Sequence, residues 1–156
     1  MSETVVDIGR YLATYAQLKE AIEGLSEEQL TWKPAPDKWS ITEVLAHLAD
    51  HNLIVTFRIR EILAGSDKPL PSFNQDEWVG GQKANEGDAS EYLDLFDALL
   101  RYNSFLFYRL SKEDWEKTSD FRGNPVTVGW FVEAFTNHVG KHLGQIERNK
   151  SAYVPV

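Results

Sequence analysis

The chain has 156 residues, the length of one domain, and 42% of them are apolar, enough to bury a core without covalent cross-links. It contains no cysteine, which excludes disulfides, thiolate metal ligands and a cysteine nucleophile and fits a cytoplasmic location. The net charge of −8 with scattered basic residues argues against nucleic acid as a partner, and we expect neither a secretory signal nor a membrane span.

Two long helices are predicted in the first half of the chain. The first covers residues 4–24 and has one apolar stripe, formed by Ile8, Leu12, Tyr15, Leu18 and Ile22. Capping boxes are predicted at Ser26–Gln29, on a short helical turn, and at Ser40–Glu43, where the second long helix begins. That helix runs to residue 64, before Gly65, and its predicted buried stripe contains Ile41, Val44, Leu45, Leu48, Val55, Ile59 and Ile62.

Residues 65–88 are predicted to form a long connection without periodicity. The segment is rich in Gly, Pro and Asp, yet it also contains Phe73, Asp76, Glu77 and Trp78. Connections of this length in a compact domain are usually functional or return the chain along the fold. If this one spans the bundle, the second and third long helices run parallel.

Two more long helices are predicted in the second half. The third covers residues 90–110, with a stripe of Tyr92, Leu95, Phe96, Leu99, Tyr102 and Leu106. A short turn at residues 111–115 and a loop closed by residues 123–125 follow. The fourth covers residues 127–149, and residues 125–128 are too short and isolated to predict a strand. Four long helices and almost no strand signal predict an all-α fold, a four-helix bundle with a long crossover between the second and third long helices.

All four histidines occur in two pairs with the same spacing. His138 and His142 lie on one line of the fourth helix with Phe131 and Phe135, so they interrupt an apolar stripe. Buried imidazoles are costly unless their nitrogens are satisfied, and a divalent metal ion satisfies two at once. His47 and His51 lie at the edge of the buried face of the second helix and could supply a third ligand. Their positions alone favour His47 only slightly.

Other readings of these residues remain open at this stage. A histidine on an apolar face is often a hydrogen-bonded core residue, and the spacing of His138 and His142 lacks the glutamate of the zinc-protease motif, because position 139 is Val. Asp50, Asp76 and Glu77 could act as a general base or orient a ligand, or could be solvated acids. Tryptophans at five positions are more typical of core or loop anchoring than of a substrate cage: Trp32, Trp39, Trp78, Trp115 and Trp130.

Three stretches together resemble the DinB/YfiT-like superfamily. They are Trp39–Asp50, His138–Ile146 and the loop Asp67–Phe73 followed by residues 76–78, which is similar to the YfiT branch of metal-dependent hydrolases. The resemblance covers nearly the whole chain, residues 1–156, as a single DinB-like domain. It implies a four-helix bundle with a metal, zinc or nickel, bound by three histidines.

The resemblance also assigns roles to individual residues. It places the metal ligands on His47, His138 and His142, which leaves His51 one turn from the metal as a residue that supports a ligand or faces substrate. In a hydrolase, His51 or an acid of the 65–88 loop would transfer the proton. Some relatives are transferases that use bacillithiol, mycothiol or glutathione, which suits a chain that has no cysteine of its own.

Two functions follow as hypotheses. The first is a metal-dependent enzyme, a hydrolase or a thiol S-transferase, in which the ion activates water or a low-molecular-weight thiol towards a small-molecule substrate and His51 is the catalytic residue. The alternative is a non-catalytic metal- or ligand-binding module. A closed sphere of four protein ligands would favour the module, and an open position would favour the enzyme. Exposed aromatic residues in the long loop, together with the resemblance, suggest a homodimer.

Overall fold

The computed structural model describes residues 6–155, and these form seven α-helices, a short 3-10 helix and one β-hairpin. The helices are α1 (Ile8–Ile22), α2 (Glu27–Thr31), α3 (Ile41–Leu63), α4 (Gln75–Gly81), α5 (Ala89–Phe107), α6 (Lys112–Glu116) and α7 (Val128–Ala152). The 3-10 helix (Ala84–Glu86) lies between α4 and α5, and strands β1 (Thr118–Phe121) and β2 (Asn124–Thr127) precede α7. The four predicted long helices are therefore α1, α3, α5 and α7.

Local sequence signals set the helix boundaries. The Ser40 side chain accepts from the Glu43 backbone N–H at 3.1 Å, and Glu43 Oε1 accepts from the Ser40 N–H at 3.0 Å, which confirms the predicted capping box of α3. The same reciprocal pair opens α2 between Ser26 and Gln29. Helix α1 begins after its cap Asp7, later than predicted, and the predicted start at residues 4 and 5 lies outside the described residues.

Each long helix packs mainly against two others, so that α1 lies diagonally across the bundle from α3, and α5 from α7. Helix α1 packs against α5 and α7, and α3 packs against the same two helices. Where α3 and α5 touch, residue numbers increase in the same direction along both helices. Asn52 donates to the Phe96 carbonyl at 3.3 Å, and farther along Thr56 accepts from Asn103 at 2.8 Å. The helices α3 and α5 are therefore parallel, and residues 64–88 are the crossover that the sequence predicts.

Helix α7 runs antiparallel to α3. The Asn149 side chain, near the end of α7, donates to the Trp39 carbonyl just before α3 at 2.9 Å. Farther along α3, His47 meets His138, which lies earlier in α7. This pairing brings the two histidine pairs to the same level of the bundle.

The buried face of α3 was predicted correctly, but that of α5 was not. Helix α5 buries Leu93, Phe96, Leu100, Asn103 and Phe107, while Leu95 and Tyr102 of the predicted stripe are 45% and 55% exposed. The helix is apolar over more than half its circumference, so periodicity alone could not locate the core side. The buried face of α1 also differs from its predicted stripe, with Tyr11 and Leu18 in the core and Leu12 and Tyr15 only partly buried.

The expectation that residues 125–128 form no strand is wrong. Strand β2 pairs with β1 in an antiparallel hairpin in which Phe121 faces Asn124 across a two-residue turn. The turn residues Arg122 and Gly123 have φ values of 55° and 85°, the left-handed conformations of a type I′ turn. The hairpin was missed because each strand has only four residues and because the first strand, β1, is mostly polar.

A buried polar network joins three of the long helices. Asn103 donates to Tyr11 Oη at 3.0 Å and to Thr56 Oγ1 at 2.8 Å, and its Oδ1 accepts from Arg60 Nη1 at 2.7 Å. Burial raises the pKa of Tyr11, so the phenol stays protonated. Asn103 therefore fixes how α1, α3 and α5 meet. Within residues 6–155, none of the helices combines the length and the apolar character needed to cross a bilayer.

Replacing Asn103 tests this network. Asn103→Ala leaves Tyr11, Thr56 and Arg60 each short of a partner, so we expect the free energy of unfolding to fall by about 2–3 kcal/mol. Urea unfolding followed by circular dichroism measures the loss. Asn137→Ala, at an exposed position of α7, is the matched control and should change stability by less than about 0.5 kcal/mol. Equal losses for both variants would contradict this role of Asn103.

Candidate metal centre

Three histidines converge between α3 and α7. His47 Nε2 lies 3.3 Å from His138 Nε2, which in turn lies 3.0 Å from His142 Nε2. His47 and His142 are buried, at 1% and 8% exposure, and His138 is partly buried. Among residues 6–155, these three form a cluster of side chains whose ligand atoms all lie within 4.8 Å of one another.

The separations of the three nitrogens fit a metal ion better than they fit hydrogen bonding. Zn–N bonds of about 2.05 Å at tetrahedral angles place two ligand nitrogens about 3.3 Å apart. A neutral imidazole has one donor nitrogen and one acceptor nitrogen, so three Nε2 atoms meeting at one point cannot all be paired with each other. The donor set, three imidazoles without a carboxylate, suits zinc and nickel.

Residues around the cluster orient the imidazoles. His142 Nδ1 lies 2.8 Å from Gln145 Oε1, an acceptor that favours a proton on Nδ1 and leaves the Nε2 lone pair free for a ligand bond. The Trp39 ring packs at 4.9 Å from the His47 ring and at 6.3 Å from the His142 ring, centroid to centroid. Asn149 holds the Trp39 backbone in turn, so α7 positions both the histidine and its aromatic neighbour.

His51 lies beside the cluster and is not part of it. Its ring stacks on Phe135, with centroids 5.7 Å apart, and lies 4.1 Å from the His138 ring. The Nδ1 atoms of His47, His51 and His138 are buried without a hydrogen-bond partner in the described part of the chain.

Burial keeps the clustered imidazoles neutral. Desolvation is the main cause of a lowered pKa for His47, to about 3, and for His138, to about 4, with smaller repulsion from neighbouring groups. Burial likewise lowers the pKa of His51, and neighbouring positive charges, including that of Arg58, add to the effect. Neutral imidazoles are the form that binds metal, so the site is prepared for an ion at neutral pH.

The long crossover covers the cluster. The Phe73 ring stacks on His47 at 6.3 Å, and Trp78 of α4 packs on Phe73 at 4.8 Å. Asp50 is half-buried and bonded to Gln82 at 2.7 Å, and its pKa is raised by burial. These contacts make the crossover the aromatic wall of the site.

The remaining predicted candidates lie apart from the cluster. Asp76 and Glu77 are exposed in the first turn of α4. Trp32 packs on Tyr153, and Trp115 packs on Phe107, which fits the anchoring role expected of them. A shallow cavity of about 430 Å³ lies between α1 and α7, and it contains none of the clustered histidines.

Comparison with known proteins agrees with the class that the fold and the cluster define, a four-helix bundle that could hold a metal ion. Residues 10–146 match the family model of the DinB superfamily. The chain belongs to the DinB superfamily.

Individual relatives share this architecture at low identity. The chain is 24% identical over 149 residues to an Oceanobacillus iheyensis protein named "putative metal-dependent hydrolase", covering 92% of this chain and 86% of the relative. It is 28% identical over 135 residues to a Bacillus licheniformis protein of the same name, covering 85% and 77%.

Two solved structures share the fold. One is YfiT from Bacillus subtilis, described as "a probable metal-dependent hydrolase with an unusual four-helix bundle topology", with a TM-score of 0.84, 20% identity, and coverage of 92% of this chain and 83% of YfiT. The other is the mycothiol-dependent maleylpyruvate isomerase, with a TM-score of 0.71, 10% identity, and coverage of 94% and 63%. Both likenesses concern the fold.

Sequence reasoning overlooked Gln145 and the contact of Trp39 with the cluster. Gln145 follows His142 by three residues on one helical face, and that spacing could have indicated a partner for the imidazole. Trp39 lies before α3, and only the pairing of α3 with α7 brings it to His142.

The lowered histidine pKa values predict an acid-sensitive metal-free protein. These imidazoles take up protons readily only on unfolding, so their contribution to stability is complete above about pH 6.5 and is lost as the pH falls towards the folded values of 3 to 4. We expect the free energy of unfolding to fall by at most about 1.4 kcal/mol per pH unit for each histidine in that window. Denaturant unfolding of chelator-treated, dialysed protein from pH 7.5 to 4.5 measures this slope. His47→Gln should lower this slope by the share of one histidine, at most about 1.4 kcal/mol per pH unit.

Proposed function

We propose that the protein is a metal-dependent enzyme in which His47, His138 and His142 hold a divalent ion, zinc or nickel. The Nε2 atoms of His47 and His142 lie 3.3 and 3.0 Å from that of His138 in a largely apolar interface, and this convergence is the observation that carries the proposal. A bound ion would lower the pKa of a water molecule or a low-molecular-weight thiol at its open position, and so supply a nucleophile near neutral pH.

The residues around the cluster support catalysis over a purely structural metal. Three protein side chains form the cluster and His51 stays outside it, so a fourth position is left for a reactant, as in catalytic zinc sites. The alternative, a non-catalytic metal- or ligand-binding module, would call for a closed sphere that includes His51. The aromatic side chains of Phe73 and Trp39 border the site and would limit the access of water to a bound small molecule.

His51 is the proposed proton acceptor. Burial lowers its pKa and keeps the imidazole neutral at physiological pH, and its Nδ1 has no partner in the described part of the chain, so this nitrogen could accept a hydrogen bond from the reactant and then its proton, once a bound ion has made the reactant acidic. It lies next to His138 and is therefore close to the reacting group. Asp50 lies next to His51 on the same helix, and its carboxylate accepts from Gln82. This carboxylate could pass the proton towards solvent.

Both versions of the reaction use this arrangement. In a hydrolase, His51 would accept the proton of water; in a thiol S-transferase, it would accept the proton of a thiol cosubstrate that attacks an electrophilic small molecule. A chain without cysteine needs the thiol from outside. The homodimer and the cytoplasmic location stay predictions. Helices α3 and α5 carry exposed apolar side chains that offer a surface for self-association: Leu53, Phe57, Leu95 and Tyr102.

Metal analysis tests the ligand set. Protein purified without added ions should contain close to one zinc or nickel per chain by mass spectrometry, and His138→Ala should lose it, because the central nitrogen of the cluster is removed. Ala at the exposed residue Asn137 is the control and should keep the metal. A His138 variant with full metal content would contradict the three-histidine site.

Replacing His51 distinguishes a role in catalysis from a role in metal binding. His51→Gln should keep the metal content and the fold, and should lower kcat about 100-fold or more, the usual loss when a general base is removed. The assays follow conjugation of a low-molecular-weight thiol to a simple electrophile, and hydrolysis of an activated ester, each with metal-loaded protein. Unchanged kcat with full metal content would exclude His51 as the proton acceptor. Loss of metal would instead identify it as a ligand.

A further inference from the structure

Arg58 is a buried cation without an acidic partner. It is 4% exposed and follows His51 by seven residues on α3, so its side chain leaves the helix on the side of the histidines. The chain has 24 acidic and 16 basic residues, yet no carboxylate of residues 6–155 forms an ion pair with Arg58. Buried charges are normally paired, because their desolvation is costly.

Neutral groups hold the guanidinium and leave one side of it unused. Nε donates to the Pro71 carbonyl at 2.9 Å, and Cζ lies 4.5 Å from the Phe121 ring centroid and 5.7 Å from that of Phe131. Within the described part of the chain, Nη1 and Nη2 have no acceptor, and neither of them is sealed from solvent. Arg58 therefore presents a pair of donors in a fixed fork that no described residue accepts from.

A second arginine approaches the same aromatic ring. Arg122 lies in the left-handed turn of the hairpin, and its Cζ is 4.9 Å from the Phe121 centroid. Burial and the charge of Arg122 together lower the pKa of Arg58 to about 10, so both groups remain charged at neutral pH. Two cations converge here without a counter-ion from the described residues, and an anion would relieve their repulsion.

The loop and the helix that contact Arg58 also contact the histidines. Pro71, whose carbonyl binds Arg58, is two residues from Phe73, whose ring stacks on His47. On the opposite side, Phe131 and Phe135 are successive turns of α7, one against Arg58 and the other against His51. The same loop and the same helix thus border both groups.

We propose that Arg58, assisted by Arg122, binds a carboxylate of the substrate or cosubstrate while the reacting part of that molecule lies at the histidine cluster. The inference rests on the proposed function, to which it adds an anionic small molecule as the ligand class. With Nε occupied by Pro71, the two Nη groups match the two oxygens of one carboxylate. Arg58 is therefore a specificity-determining residue.

The experiment uses the full chain without metal, so that its outcome is independent of the metal chemistry. Propionate and, separately, inorganic phosphate are titrated at low ionic strength, and binding is followed in nitrogen-15 NMR spectra by the Arg58 side-chain Nε–H and the amides of residues 72 and 73. We expect saturable 1:1 binding of propionate in the millimolar range. Arg58→Gln should weaken it at least about tenfold, and Arg122→Gln should weaken it less.

Controls separate this role from a structural one. Arg148→Gln removes an exposed arginine of α7 and should leave the affinity unchanged. If Arg58→Gln does not fold, Arg58→Lys keeps the charge but loses the fork, and it should still lose most of the propionate affinity. No saturable response in the wild-type chain, tighter binding of phosphate than of propionate, or equal affinity in the folded Arg58 variant would each overturn the proposal. Failure of the histidine variants to lose metal would overturn the metal site alone.

Discussion

The antiparallel contact of α3 with α7 is the constraint on which the rest of the site depends. Apolar side chains bury most of this interface, and the imidazoles of His47, His138 and His142 meet inside it. Because their neutral forms are favoured by burial, the hydrophobic core itself creates the electrostatic conditions that a metal ion needs. Folding and preparation of the site are thus one event.

The polar groups in this interface are organised by position along the bundle. Near one end, Asn149 and Gln145 of α7 hold Trp39 and His142. In the middle lie His51 and Phe135, and farther on lies Arg58 with the aromatic rings around it. The histidine cluster is therefore followed along α3 by His51 and then by Arg58.

Most of this arrangement could be predicted from the sequence, for identifiable reasons. The helices have clear caps and periodicity, and the spacing of His138 and His142 places both on one helical face whatever the tertiary structure. Position on α3 favoured His47 over His51 only slightly, because both lie near the edge of the buried stripe, and it was the resemblance to the superfamily that pointed to His47. The rotation of α7 decides the choice, and that rotation is a property of the packed bundle.

The failures also have physical causes. The core side of α5 was misjudged because two apolar stripes run along that helix, and only contact with α1 and α3 selects one of them. Arg58 carries no sequence signal, since an arginine seven residues from a histidine is usually solvated. Its burial requires the hairpin and the crossover, which are the segments that periodicity describes least well.

The crossover has a consequence for how the protein can diverge. Parallel α3 and α5 need a connection that returns along a helix of 23 residues, about 34 Å, so residues 64–88 cannot be shortened much without changing the topology. The same segment supplies the residues that border the histidines and Arg58. Its length is therefore held by the fold, while many of its exposed side chains are free to vary. Point substitutions there offer a route to new ligands that leaves the helices and the histidines untouched.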